Sequence, residues 1–176
     1  MKIGLCGTMS VGKTTLVNAL QELDYFKDYN FRTERSKELM AKGIPMNTIS
    51  TLKGQTIFLA ERTSELMLEN IITDRTVVDV MAFAKASKSI DAIDKQSFEE
   101  YARLFLKEYD YIFYISPKGI EIEDNGIRET DTDYRNLINT TINLIVSENK
   151  HRIKNYHEIS GSTEERILQI INYISS

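Results

Sequence analysis

The sequence predicts an α/β fold, a five-stranded parallel sheet with helices on both faces, in one domain spanning residues 1–176. Three observations predict it. Short apolar runs alternate with longer segments whose apolar residues recur at helical spacing, along the whole chain. The first apolar run leads directly through a glycine-bearing loop into a helix. The chain of 176 residues suits a single well-buried core.

The elements follow in order. KIGLC (2–6) is a short apolar run before a glycine, a buried strand. KTTLVNALQEL (13–23) has Leu16, Val17, Ala19, Leu20 and Leu23 at helical spacing. YNFRT (29–33) alternates as a second strand, and ERSKELMAKG (34–43) is a helix closed by Gly43, with Pro45 beyond. Residues 47–70 predict one long helix, weakened by Gly54. IIT (71–73), meeting Asp74, is a third strand, followed by a helix over 77–87 and another over 95–109. YIFYIS (111–116) is a fourth strand stopped by Pro117. Residues 131–149 are helical, with Asp131 or Thr132 as the cap. YHEIS (156–160) is the fifth strand, and 162–174 the last helix, opening with a Ser-x-x-Glu capping box. In such a sheet, ligands bind at the carboxyl ends of the strands.

Hydrophobic residues at 41% and charged residues at 27% place the chain among ordinary globular proteins. A net charge of −4 and a pI near 5.3 advertise no broad basic face, which disfavours a nucleic-acid partner. The single cysteine, Cys6, forms no internal disulfide and fits a reducing cytosol, so the expected location is cytoplasmic. Directly before the loop, it reads as a small buried apolar side chain. The N-terminus shows no signal-peptide pattern, and no apolar run reaches the length of a membrane helix. His151 and His157 have no metal-ligand partners nearby in sequence.

The stretch Gly7-Thr8-Met9-Ser10-Val11-Gly12-Lys13-Thr14, continued by Thr15, fits G-x-x-x-x-G-K-[ST] between a strand and a helix. The glycines let the backbone curl so that successive N–H groups face phosphate oxygens, and the helix N-terminus adds partial positive charge. In this pattern Lys13 bridges β- and γ-phosphates and Thr14 offers its hydroxyl to Mg²⁺, which makes ATP–Mg²⁺ the expected cofactor.

Other residues fall where such a ligand would sit. Asp74 and Arg75 end the third strand. Asp74 there holds Mg²⁺ directly or through water, and Arg75 reaches the transferring group, the alternative being an N-cap beside a surface arginine. Asp79, farther into the helix, reads as a surface or packing residue. Glu34 stands just past the second strand, with Arg32 and Arg35 close by. It is a base for an attacking hydroxyl or a first-turn glutamate favoured by the helix dipole. The polar segment after Pro117 reads as a lid over about 118–135, carrying Arg128 and Arg135 to close over the nucleotide or to pair with Asp131 and Asp133. Gly161 and Ser162 offer a turn against a purine ring or a plain strand-to-helix turn. Gln55 and Arg62, seven apart on one helical face, either read an acceptor base or face water, while Phe58 and Leu59 read as core.

With GTMSVGKTTL, TERSKEL, KGQTIFLAERTSEL, TDRTVVDVMAFA, DNGIRETDTDYR and ISGSTEERI in order over nearly the whole chain, the sequence resembles the P-loop kinases of the nucleoside/nucleotide group. It is most similar to the nicotinamide riboside kinase-like ATPases, many of them phage-encoded. The resemblance implies a P-loop NTPase fold with a lid and a transfer of phosphoryl from ATP to a small nucleoside-like acceptor. It likens Asp74 and Arg75 to the acidic-arginine pair of deoxynucleoside and thymidylate kinases, Glu34 to the acidic residue ending their second strand, and Arg128 to the lid arginine. The arginine-proline-glycine run of thymidylate kinases is missing from TERSKEL, which leaves a hydroxyl or a phosphate acceptor open. A regulatory ATP-binding switch and a kinase acting on DNA are the other two classes, and a homodimer is compatible with all three.

Overall fold

A computed structural model describes residues 1–33, 35–118, 120 and 132–176. Five parallel strands form one sheet: β1 (Lys2–Cys6), β2 (Asn30–Arg32), β3 (Ile71–Asp74), β4 (Tyr111–Ile115) and β5 (Tyr156–Ile159), in the order β2-β3-β1-β4-β5. β1 lies at the centre, with Leu5 beside Asp74 of β3 and Cys6 beside Tyr114 of β4. This register sets the end of β3 next to the loop that leaves β1.

Alternation along the strands feeds two cores. On one face Ile3, Leu5, Phe113 and Ile115 pack with Leu16, Val17 and Leu20 of α1 (Lys13–Gln21) and Ile170 of α7 (Thr163–Ser175). On the other, Cys6, Ile112 and Tyr114 meet α3 (Leu52–Glu65), α4 (Val77–Ala86), α5 (Ala92–Ala102) and α6 (Thr132–Glu148). Each large apolar side chain so buried contributes roughly 1.5–3 kcal/mol. Gly4 has no side chain for a steric reason: a Cβ there would lie 2.4 Å from Cγ2 of Thr76 and 2.8 Å from Cε1 of Tyr109. The close approach lets the Tyr109 hydroxyl accept from the Val77 N–H at 3.1 Å, which anchors the start of α4 against β1.

α2 (Ser36–Ala41) ends as expected at Gly43, whose φ is +79°. The Gly43 N–H bonds to Met40 O and the Ile44 N–H to Leu39 O, the pair of bonds of a Schellman turn. The long helix expected over 47–70 is not continuous. A 3-10 turn covers Asn47–Ile49, the chain is extended at Ser50 and Thr51, and α3 starts at Leu52 with the Thr51 hydroxyl accepting from the Gly54 N–H. Tertiary bonds outcompete helix continuation here. Ser87 Oγ donates to Ser50 O at 2.5 Å and the Lys88 N–H to Thr48 O at 2.9 Å. Likewise the helix expected over 95–109 is two pieces, α5 and a 3-10 stretch over Arg103–Glu108. The capping box expected at Ser162 is present, as Ser162 and Glu165 exchange hydrogen bonds. Among the described residues, no helix is long and apolar enough to cross a membrane.

Candidate active site

The loop from Gly7 to Gly12 joins β1 to α1. Gly12 has φ +83°, a conformation that a side chain disfavours, and it is the residue from which α1 departs. The Lys13 side chain is buried and folds back over the loop, its ammonium donating to Gly7 O at 2.7 Å and Thr8 O at 2.6 Å. Burial holds its pKa below the ordinary lysine value, as does the charge of Arg75, while Asp79 and Asp74 act the other way.

Asp79 is buried and belongs to the loop as much as to α4. Its Oδ1 accepts from the Gly7 N–H at 3.0 Å, and its Oδ2 accepts from the Thr76 N–H at 2.7 Å and the Thr76 hydroxyl at 2.8 Å. Of the surface or packing residue expected here, burial excludes the surface alternative, and the packed carboxylate also bonds the loop. Thr76 and Asp79 form a capping box at the start of α4, a signal present in the sequence as Thr-x-x-Asp. Cys6 is fully buried, and burial together with the Asp79 charge raises its thiol well above the ordinary value.

The Thr14 hydroxyl donates to Oδ2 of Asp74. Asp74 is 1% exposed, and among the described residues its Oδ1 has no hydrogen-bond partner. A buried carboxylate oxygen without a donor costs about 1–3 kcal/mol or more, and a cation is the natural partner for it. The hard oxygens of Thr14 and Asp74, beside a phosphate loop, fit Mg²⁺, which takes few protein ligands and completes its shell with phosphate and water. Among the described residues, no group of three or more His, Cys, Asp or Glu side chains could hold a metal ion.

Arg75 has φ +79°, a left-handed conformation that costs a side-chain-bearing residue about 1–2 kcal/mol. Its guanidinium lies 4.8 Å from the ring centroid of Phe83, a cation–π contact.

These groups line a cavity of about 560 Å³. Met9, Ser10, Val11, Gly12, Lys13, Thr14 and Thr15 border it, as do Asp74 and Arg75. Other chain segments add Gln55 and Phe58 from α3 and Val80 and Phe83 from α4. Gln55 is buried, and its side-chain amide takes no partner among the described residues. Leu59 is core as expected, whereas the half-buried Phe58 both packs on the core and faces the cavity.

Other sequence candidates lie elsewhere. Arg62 is 2% exposed and turns away from the cavity lining. It donates to Asp74 O at 2.7 Å and to Glu65 Oε1 at 2.8 Å. Arg32 and Arg35 border a smaller depression with Glu61 and Glu65, and Arg35 pairs with Glu38 and Glu61. Arg135 is buried and donates to Ile120 O at 2.6 Å. Gly161, at φ +93°, and Ser162 form the capping turn before α7 and are not among the cavity's lining residues. Glu34, Arg128 and most of the expected lid lie outside the described residues. Several cavity residues were not read from the sequence, two of them basic. Lys37 lies on α2, and Arg166 on α7 donates to Val11 O at 2.8 Å although it is 155 residues away.

A phosphate loop at the end of the central strand, with a 2-3-1-4-5 parallel sheet, defines a P-loop nucleoside-triphosphate-binding fold. The chain belongs to the AAA domain family, whose pattern it matches over residues 2–166. Solved structures share the fold. Deoxyadenosine kinase from M. mycoides with bound dCTP is 20% identical, with a TM-score of 0.68 over 99% of each chain. NadR protein in complex with NR is 16% identical, with a TM-score of 0.71 over 97% of this chain and 50% of that one. YorR protein from Bacillus subtilis, in complex with phosphorylated GDP, is 17% identical, with a TM-score of 0.62 over 99% of this chain and 96% of that one. No curated protein sequence matches the chain.

Proposed function

We propose that the protein is an ATP-dependent kinase that transfers the γ-phosphoryl group to a small nucleoside- or nucleotide-like acceptor. The observation that carries this is the cavity itself. Its lining has two parts: the phosphate loop with Lys13 and the Thr14–Asp74 pair, and the buried Gln55, whose amide takes no partner among the described residues, together with Phe58, Val80 and Phe83. A regulatory switch that only binds and slowly hydrolyses ATP has no use for that second half. The likeness of fold to a deoxyadenosine kinase supports the same reading.

Phosphoryl transfer asks the protein mainly for position and positive charge. The N–H groups of the loop and the start of α1 bind the donor phosphates. Lys13 leaves the loop carbonyls to meet phosphate oxygens, which restores charge partners to a buried ammonium. Thr14 and Asp74 would hold Mg²⁺, which would supply positive charge against the phosphates. Arg75 brings a second cation to the transferring group, and Arg128, in the segment expected as a lid, would bring a third. The Gln55 amide, with a donor and an acceptor side by side, recognises a base edge or amide, and Phe58 and Phe83 cover the ring faces. Glu34, following β2, takes the proton of an acceptor hydroxyl, which is worth a factor of about 10² to 10⁴ where the base is needed.

The test is ADP release measured over a panel of nucleosides, nucleoside monophosphates, nicotinamide riboside and hydroxymethylated DNA. Stimulation by a small acceptor, with a phosphorylated product by mass spectrometry, is the expected result. Release that no small acceptor stimulates overturns the kinase reading. If a nucleoside is the acceptor, Glu34→Gln lowers kcat by about 10² or more and leaves ATP affinity unchanged.

A further inference from the structure

We infer that Arg62 and Thr73, with Asp79, are positioning residues that hold Arg75 in its left-handed conformation and so present its guanidinium over Phe83. The catalytic value of that position rests on the kinase reading above; the geometry does not. The two peptide groups on either side of the Arg75 Cα are each tied at both polar atoms. In the first, the Arg75 N–H donates to Leu5 O at 3.0 Å, and the Asp74 carbonyl accepts from Arg62 Nη1 at 2.7 Å. In the second, the Arg75 carbonyl accepts from Thr73 Oγ1 at 2.9 Å, and the Thr76 N–H donates to Asp79 Oδ2 at 2.7 Å.

One of these four bonds continues the sheet. The other three come from buried side chains, and Arg62, Thr73 and Asp79 are 2%, 1% and 0% exposed. A residue other than glycine stays in a disfavoured backbone region only where its surroundings over-determine it. Here the surroundings fix both peptide planes, and therefore both backbone torsions of Arg75. The direction in which its Cβ leaves the chain follows. Arg62 is itself held, its Nη2 on Glu65 Oε1 at 2.8 Å. The same bond to the Asp74 carbonyl steadies the residue whose carboxylate meets Thr14.

Asp79 also binds Gly7, so its replacement perturbs the phosphate loop as well. Thr73→Val is the cleaner probe, since it removes one hydroxyl and keeps the side-chain shape. The experiment is nitrogen-15 NMR of the nucleotide-free protein, following the Arg75 Nε–H resonance, assigned by its loss in Arg75→Lys. The Phe83 ring current displaces this resonance upfield in the parent, and Phe83→Leu removes the displacement. Thr73→Val is expected to lose at least about half of it, as Arg75 leaves the left-handed region that the missing bond helped to hold. Arg62→Met does the same, and Arg62→Lys, which keeps one donor for the Asp74 carbonyl, restores part of it. An unchanged Arg75 resonance in Thr73→Val overturns the inference, and so does one in a folded Arg62→Met. The NMR result needs no turnover, so it stands or falls separately from the kinase reading. Where an acceptor has been found, Thr73→Val lowers kcat about tenfold with KM for ATP within about twofold. Equal loss in both constants would mark Thr73 as merely structural.

Discussion

The Asp79 carboxylate accepts the Gly7 N–H at 3.0 Å across 72 residues of sequence, and its second oxygen caps α4 through Thr76. One buried side chain thus joins the phosphate loop to the turn that carries Asp74 and Arg75. Asp79→Asn keeps the volume but replaces one acceptor oxygen with a donor, so one of these contacts becomes donor facing donor. Expected losses are about 1–3 kcal/mol of stability, from the buried group left unpaired, and weaker ATP binding. Denaturant melts and nucleotide titration check this; wild-type values in both would mean the loop does not depend on Asp79.

Lys13→Ala is expected to keep the fold, because it removes a buried cation whose two hydrogen bonds end on loop carbonyls. Turnover should fall by about three orders of magnitude, the scale of losing one preorganised electrostatic contact to the transition state. Circular dichroism and the ADP-release assay measure the two halves of this expectation. Near-normal turnover would remove the loop from the mechanism.

Asp74→Asn tests the cation site. The substitution keeps a hydrogen-bond acceptor for the Thr14 hydroxyl but removes the charge that a metal ion meets. The activity curve against Mg²⁺ should shift to higher concentration by more than ATP affinity changes. If the curve does not move, the orphaned Oδ1 of Asp74 is not a metal-facing atom.

Most of the fold was legible because strand and helix periods differ and here alternate cleanly, and Gly43 and the Ser162 box marked helix ends by local chemistry. What the sequence hid was non-local. Nothing around Ser50 announces that Ser87 will take its carbonyl and Lys88 that of Thr48, and break a helix there. Asp79 sits at a helical spacing that looks ordinary until β1 and α4 meet. Arg166 gained its place by the packing of α7 against α1, and Arg62, grouped with Gln55 by a seven-residue spacing, turned toward β3 instead. The phosphate loop, and the place of Asp74 and Arg75 at the end of β3, could be read because both are carried by adjacent residues.

The last expectation is a pH effect on stability that Glu65 imposes. Its carboxyl is 9% exposed, and burial pushes its pKa from 4.5 up to about 7; Arg62 opposes this shift, and the Glu61 charge adds to it. Below pH 4.5 the group is protonated whether the chain is folded or not, so it contributes nothing. Between about 4.5 and 7 the unfolded chain has released the proton and the folded chain still holds it. Stability therefore falls as pH rises through this window, by at most about 3 kcal/mol, and levels off above it. Carboxylates such as Glu38, held down to about 2 by Arg35 and Lys42, act in the opposite sense, but their contribution is lost only as pH falls through the acid range. Glu65→Gln removes the titrating group and keeps an acceptor for Arg62. Melting temperatures of the parent and the variant, taken from pH 5 to 8, should differ by an amount that changes steadily in favour of the variant as pH rises, with most of the change complete by about pH 8. A difference independent of pH would show that Glu65 ionises in the folded protein as it does in the unfolded chain.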